Sequence, residues 1–397
     1  MRLKPAGFLD LSILQSFRQT INSSPIFRKQ DGLKEKYDLI CAFMDRIESA
    51  ARYLNDHSDF PKSEEEFISF MVFASMVRDG INKLFENIYF KKPPYWSDKK
   101  FFVIAVNFGE SVFTDETCPS DESFFEYLRA LSFAHPFAVD NRRGQRAFIQ
   151  DGEIQCSPWA IVANPFYQFK GFVDGVGARI YSNKQSKIID LTIPFSTLKE
   201  YLKDRFEYIK QLEEWAKNDI QKQEEKWKEI KIDRQQEPVA VLKEIVIVLS
   251  DRFQETDDIE TLIEYLSCKL SEPKKEKKVL LFQNAIIETI PAICDCVENL
   301  DYSKLDEVIS FAFDAPTETH EKCGYQLEKI FSYLDRQRSK TIGKFSDERW
   351  GLIQAKEFSK GFAKKWVLID VRHMDYSEIR LLVQTACYLE TEEQKRG

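Results

Sequence analysis

The chain has 397 residues, 43% of them hydrophobic and 31% charged, with a formal net charge of −8. That balance is globular, too large for one ordinary core and too acidic for a protein that coats nucleic acid without selectivity, so two or three domains are expected. Aromatic content is high, with 32 Phe, and only 14 Gly and 14 Pro leave room for long uninterrupted elements. The eight cysteines (41, 118, 156, 268, 294, 296, 323 and 387) are scattered and read as reduced thiols. Met1 to Asp10 has no apolar leader core. Apolar runs such as 239–249, which carries Lys243 and Glu244, are too short to cross a bilayer. The expectation is a soluble cytoplasmic protein with no membrane segment.

In chain order, residues 8–28 fit either a helix or an edge strand. From Lys34 to Asn55 the residues Leu39, Ile40, Phe43, Met44, Ile47 and Ala51 recur at helical spacing. A second helix opens at Ser63, where Ser-Glu-Glu-Glu has the character of a capped start, and runs to about Asn87. Residues 101–108 make a β-like run. Pro119 to Ser123 introduces a short apolar helix that carries Arg129, and Pro136 places His135 at its end. Short β-like runs follow at 155–169 and 178–193, the second reading as a hairpin turning near Asn183. Ser196 opens a long helix to about Ile232, polar nearly all round at its far end, in the manner of a strut or connector. Glu237-Pro238 is the expected domain boundary. The rest reads as amphipathic helices, with Trp366 to Val371 as a possible strand and a helix capped near Asp375. The expected segments are therefore 1–153, 154–237 and 238–397.

The chemistry-bearing stretch is Phe124-Phe-Glu-Tyr-Leu-Arg129-Ala-Leu-Ser-Phe-Ala-His135-Pro136. RNA can be cleaved with two protein groups: an imidazole that moves protons to and from the ribose 2′-OH and the leaving oxygen, and a guanidinium that holds the charge growing on phosphorus. Arg142, Arg143 and Arg146 follow closely, either for phosphate contacts along one strand or for pairing with surface carboxylates. An arginine in so apolar a helix needs a partner or a purpose. The bland reading is a structural arginine followed by a helix-end histidine. A second match, Arg52 to His57, lies beside Asn55, Asp56 and Asp59 and reads as a solvated connection. Arg78-Asp79 is either a polar pair turned toward the motif or, preferably, an ordinary exposed one.

Arg129-x5-His135 resembles the R-x(4–6)-H signature of the HEPN superfamily, all-α ribonucleases and toxins of prokaryotic phage-defence and toxin–antitoxin systems. The two upstream amphipathic helices followed by a motif-bearing helix match that family's helical order, over roughly residues 34–150. Ala130 follows the arginine where the family commonly has a polar residue, and the run at 101–108 is an addition to the minimal fold. The resemblance implies a HEPN-like helical bundle for the N-terminal third alone; joined to the residue pattern beyond it, the expectation is a mainly α (α+β) protein with a small β insertion, a long connector helix and a helical C-terminal domain. The resemblance also implies metal-independent RNA cleavage by 2′-OH attack in a homodimer, with His135 as acid/base, Arg129 as anion holder and Arg142, Arg143 and Arg146 on the substrate. Neither cofactor nor metal is expected; RNA and a partner defence or antitoxin protein are the expected partners. The competing class is a non-catalytic helical scaffold or adaptor in a multi-protein defence complex.

Other constellations weigh less. Cys294, Cys296, His320 and Cys323 could offer zinc ligands, but Cys294 and Cys296 sit two apart in a helical pattern, and free thiols are the default. Gly171 to Gly177 lacks the Gly-Lys-Ser/Thr ending of a phosphate loop, and the basic run 274–278 is interleaved with glutamate.

Overall fold

Asp10 and Ser24 set the N-terminal architecture. Asp10 Oδ1 accepts the Ser12 N–H at 3.0 Å and caps α1 (Leu11–Ser23), while Ser24 with Pro25 behind it opens α2 (Pro25–Lys29). The structure, a computed structural model, describes residues 7–31, 33–89, 91–139, 154–163, 172–183, 188–271, 276–316, 323–338 and 345–396. It is mostly helical with one small antiparallel sheet. The chain divides into two compact units, Met1–Ile220 and Gln221–Gly397.

In the first unit α3 (Lys34–Asp56) buries Ile40, Met44, Ile47, Ala51 and Leu54 against α4 (Glu64–Tyr89), which buries Phe67, Phe70, Met71, Ala74, Val77, Ile81, Leu84 and Phe85. Ser63 Oγ accepts the Glu66 N–H at 3.3 Å, and Glu66 reaches back to the Lys62 N–H at 2.7 Å, so the expected capped start is present. Gly80 is what lets the two helices close: a Cβ there would lie 2.5 Å from Ile47 Cγ1.

The run at 101–108 departs from the expected strand. Phe101 and Phe102 are both buried, which a pleated strand with one buried face cannot arrange. The chain makes a 3₁₀ turn at Phe102–Ile104 and only then the short strands β1 (Val106–Asn107) and β2 (Glu110–Ser111). These join β3 (Gln155–Val162), β4 (Gly175–Ser182) and β5 (Ile189–Pro194) in the order β2-β1-β5-β4-β3, every pairing antiparallel. The expected hairpin is β4–β5; its turn lies outside the described residues. Val176, Ala178, Ile180, Leu191 and Ile193 put one sheet face into the same core as the helices. The described residues of 154–220 therefore belong to the same compact unit and core as the N-terminal helices rather than to a separate insertion.

The expected long helix from 196 is two, α6 (Phe195–Glu207) and α7 (Ile209–Glu229), parted at Tyr208. The division between units falls within α7, upstream of Glu237-Pro238, because Tyr201, Phe206, Ile209, Leu212 and Ala216 are all buried in the first core.

The second unit holds α8 (Pro238–Asp251), α9 (Asp257–Ser267), α10 (Glu276–Asn299), α11 (Tyr302–Ile309), α12 (Cys323–Arg338), α13 (Phe345–Phe358) and α14 (Tyr376–Arg396). Asp375 Oδ1 accepts the Glu378 N–H at 2.8 Å, the expected cap of α14. The possible strand at 366–371 is irregular, running from the end of the 3₁₀ turn Phe362–Lys365 into a further turn, and no strand pairs with it among the described residues. Val367 and Ile369 supply the two-residue alternation there, buried in a helical core instead of a sheet. Among the described residues one stretch, Lys277–Asn299, has the length and apolarity of a membrane span, with a mean hydropathy of 1.4 over an 18-residue window; its residues Val279, Phe282, Ile286, Ile293 and Val297 belong to the core of this unit.

Candidate functional site

The motif helix is α5 (Asp121–Arg129), capped by Ser120, whose Oγ accepts the Ser123 N–H at 3.3 Å. Phe124, Phe125 and Leu128 anchor it in the core. After Arg129 the helix widens. Residues Ala130–Ala134 form a π turn closed by the His135 N–H donating to the Ala130 carbonyl at 2.8 Å, and His135 leaves helical geometry at φ −142°, ψ 53°. The π turn ends the helix rather than interrupting it, a form of ending that helix C-termini use. Its effect is to take His135 out of helical phase, so the 120° offset of two residues six apart on a regular helix does not set its direction. The His135 side chain is exposed and has no hydrogen-bond or ion-pair partner among the described residues.

Arg129 is one-quarter exposed and held from one turn back. Its Nε donates to Glu126 Oε2 at 3.0 Å and its Nη2 to Oε1 at 2.5 Å, leaving Nη1 as the corner Glu126 does not engage. Glu126 Oε2 also accepts Arg78 Nη2 at 3.0 Å. Burial pushes the Glu126 carboxyl up, but the Arg129 hydrogen bond and the charges of Arg78 and Arg129 outweigh it and hold the group below the ordinary carboxylate value. Glu126 therefore stays ionised and clamps both guanidiniums.

Arg78 corrects an expectation. It is not part of an ordinary exposed pair: only 8% of it is accessible, it lies over the Phe125 ring at 5.0 Å, and it donates to both Asp79 and Glu126. Behind it sits a buried ionic network centred on Glu122. Glu122 Oε1 accepts Tyr201 Oη and Arg205 Nε, each at 2.8 Å, and its Oε2 lies 3.8 Å from Arg78 Nε. Burial, foremost, and the Glu122 charge push the Tyr201 phenol well up, so it remains a donor. Asp121 Oδ1 and Oδ2 take the N–H groups of Lys100, Phe101 and Phe102, tying the 100–102 loop to the start of α5. No protein-family model, curated protein or solved structure matches this chain.

Arg142, Arg143 and Arg146 lie outside the described residues, as does His320. The second Arg/His match is locally engaged: Arg52 donates to Glu48 at 2.6 Å, and His57 Nδ1 meets the Tyr53 carbonyl at 2.9 Å with its ring stacked on Tyr53. Cys294 and Cys296 are buried, and burial raises both thiols, Cys294 to about 11. Among the described residues no three His, Cys, Asp or Glu side chains gather as a metal site. The residues missed in sequence are Glu126, Glu122, Tyr201 and Arg205. Only Glu126, three residues before Arg129, had a readable signal.

Proposed function

We propose that the first unit is a metal-independent endoribonuclease of the HEPN type, acting in a toxin or antiphage-defence setting as a homodimer. The observation that carries the reading is the exposed imidazole of His135, a residue whose backbone N–H closes a π turn that begins directly after a carboxylate-clamped arginine. In this chemistry His135 takes the proton of the ribose 2′-OH as that oxygen attacks the adjacent phosphorus. It returns the proton to the departing 5′-oxygen, leaving a 2′,3′-cyclic phosphate and a 5′-hydroxyl. Arg129, fixed on two of its nitrogens, presents Nη1 to the non-bridging oxygens, where pre-set charge stabilises the transition state without reorganisation.

The test is bacterial growth on induction. Wild type arrests growth with RNA decay, His135→Ala and Arg129→Ala relieve both, and Arg52→Ala and His57→Ala behave as wild type. Growth arrest unaffected by either motif substitution contradicts the reading. The second reading is a non-catalytic scaffold. It is favoured by the pairing of Arg129 with Glu126 within its own helix, and it requires neither side chain for activity.

A further inference from the structure

The sheet carries an exposed aromatic surface joined by hydrogen bonds to the segment that follows His135. Phe137 is 81% exposed, Trp159 51% and Tyr181 36%. The Ser157 N–H donates to the Pro136 carbonyl at 2.8 Å, and Val139 pairs with Gln155 in both directions. β3 therefore begins where the His135 segment ends. Trp159 is two residues beyond Ser157, roughly 7 Å of strand. The register pairs Trp159 with Arg179 and Cys156 with Tyr181, across a bulge between Cys156 and Trp159. Trp159, Arg179 and Tyr181 thus share the face opposite Ala178 and Ile180, which fill the core. The Trp159 and Tyr181 rings meet edge-on at 6.3 Å. Arg179 stands 6.0 Å from the Trp159 ring, its guanidinium fixed by Asp190 at 2.6 and 2.7 Å.

Half-exposed indoles and phenols on a sheet cost solvation unless something covers them, and β3 is an edge strand already blunted by Pro158. A fixed guanidinium beside an exposed indole that itself meets a phenol edge-on is the kind of surface single-stranded nucleic acid uses: bases stack on the ring faces, and the cation serves the backbone or a base plane. The geometry points to Trp159, Tyr181 and Arg179 as a stacking platform for the bases of a single-stranded RNA whose scissile linkage lies at His135. This rests on the ribonuclease reading for the identity of the strand, and it adds the site that grips the substrate.

The probe is a fluorescein-labelled twelve-nucleotide oligouridylate, titrated into the full chain carrying His135→Ala so that no cleavage intervenes. Trp159→Ala and Tyr181→Ala should each weaken binding about tenfold or more, while Trp159→Phe, which keeps a ring, retains most of it. Binding should also quench indole fluorescence in the parent and less in Trp159→Ala. Because both side chains are partly in solvent, the variants should keep the parent melting temperature, which is checked by circular dichroism. Oligonucleotide affinity unchanged by Trp159→Ala, absence of binding, or a subunit dissociation caused by Trp159→Ala at unchanged RNA affinity overturns the platform. The two ideas separate cleanly. Cleavage abolished by His135→Ala with Trp159-independent binding removes the platform and leaves the nuclease. Trp159-dependent binding with cleavage indifferent to His135 removes the catalytic reading and leaves the platform.

Discussion

Glu126 holds Arg129 by two hydrogen bonds from three residues back, and the same carboxylate receives Arg78 from the neighbouring helix. The guanidinium proposed for the phosphate is thus fixed by a group that the proposal does not place on RNA. Glu126→Gln keeps the shape but loses one acceptor and the charge. The expected result is ribonuclease kcat lowered by about tenfold to a hundredfold, in line with charge-assisted hydrogen bonds worth about 1.5–3 kcal/mol. Cleavage kinetics on a fluorogenic RNA check this; unchanged kcat shows that Arg129 needs no clamp.

The clamp has an acid limit. Glu126 titrates lower in the folded chain than its ordinary value of 4.5, so its contribution is complete above that value and is lost as pH falls through the folded value. The gap in urea midpoint between wild type and Glu126→Gln should therefore be constant through neutral pH and narrow below 4.5. A gap that widens on acidification contradicts the sign.

Glu122 is 4% accessible and receives Arg205, which is fully buried, together with Tyr201. Removing Glu122 takes the acceptor from Tyr201 Oη and Arg205 Nε, leaving the buried Arg205 with Asp204 at 2.6 Å and Asp121 at 3.7 Å. Glu122→Ala is expected to cost on the order of 3–5 kcal/mol, read as a lowered urea midpoint. Glu122→Gln, which still accepts hydrogen bonds, should cost less.

Gly80→Ala tests the approach of α3 and α4. The new Cβ would fall 2.5 Å from Ile47 Cγ1, so Ile47 must move, and about 1–3 kcal/mol of destabilisation is expected. In an Ile47→Ala background, itself destabilised by the loss of a buried side chain, Gly80→Ala should cost less than it does alone in thermal unfolding, because the space is already open.

The helices were legible wherever one apolar stripe did the work. Met44, Ile47 and Ala51 on α3 and Phe67, Met71 and Ala74 on α4 repeat at helical spacing, and they are the residues buried. His135 at a helix end followed from Pro136. What stayed hidden depended on distance along the chain. Arg78 beside Asp79 looks solvated until Glu126, 48 residues later, is brought to it, and Arg205 meets Glu122 across 83 residues. Residues 366–371 show the converse: Val367 and Ile369 alternate as a strand does, but helices supply the burial. The π turn has no sequence signature, since Ala130 to Ala134 could equally continue an α-helix.

His135 is proposed to transfer the proton of a ribose 2′-OH with Arg129 on the phosphate. The most direct measurement is cleavage of a labelled RNA by the purified full chain in excess EDTA, beside the same strand made 2′-deoxy at the cut sites. The account predicts products ending in 2′,3′-cyclic phosphate from the RNA, none from the deoxy strand, and a loss of at least a hundredfold in rate with His135→Ala or Arg129→Ala. Cleavage that persists on the deoxy strand, stops with EDTA, or survives both substitutions contradicts it.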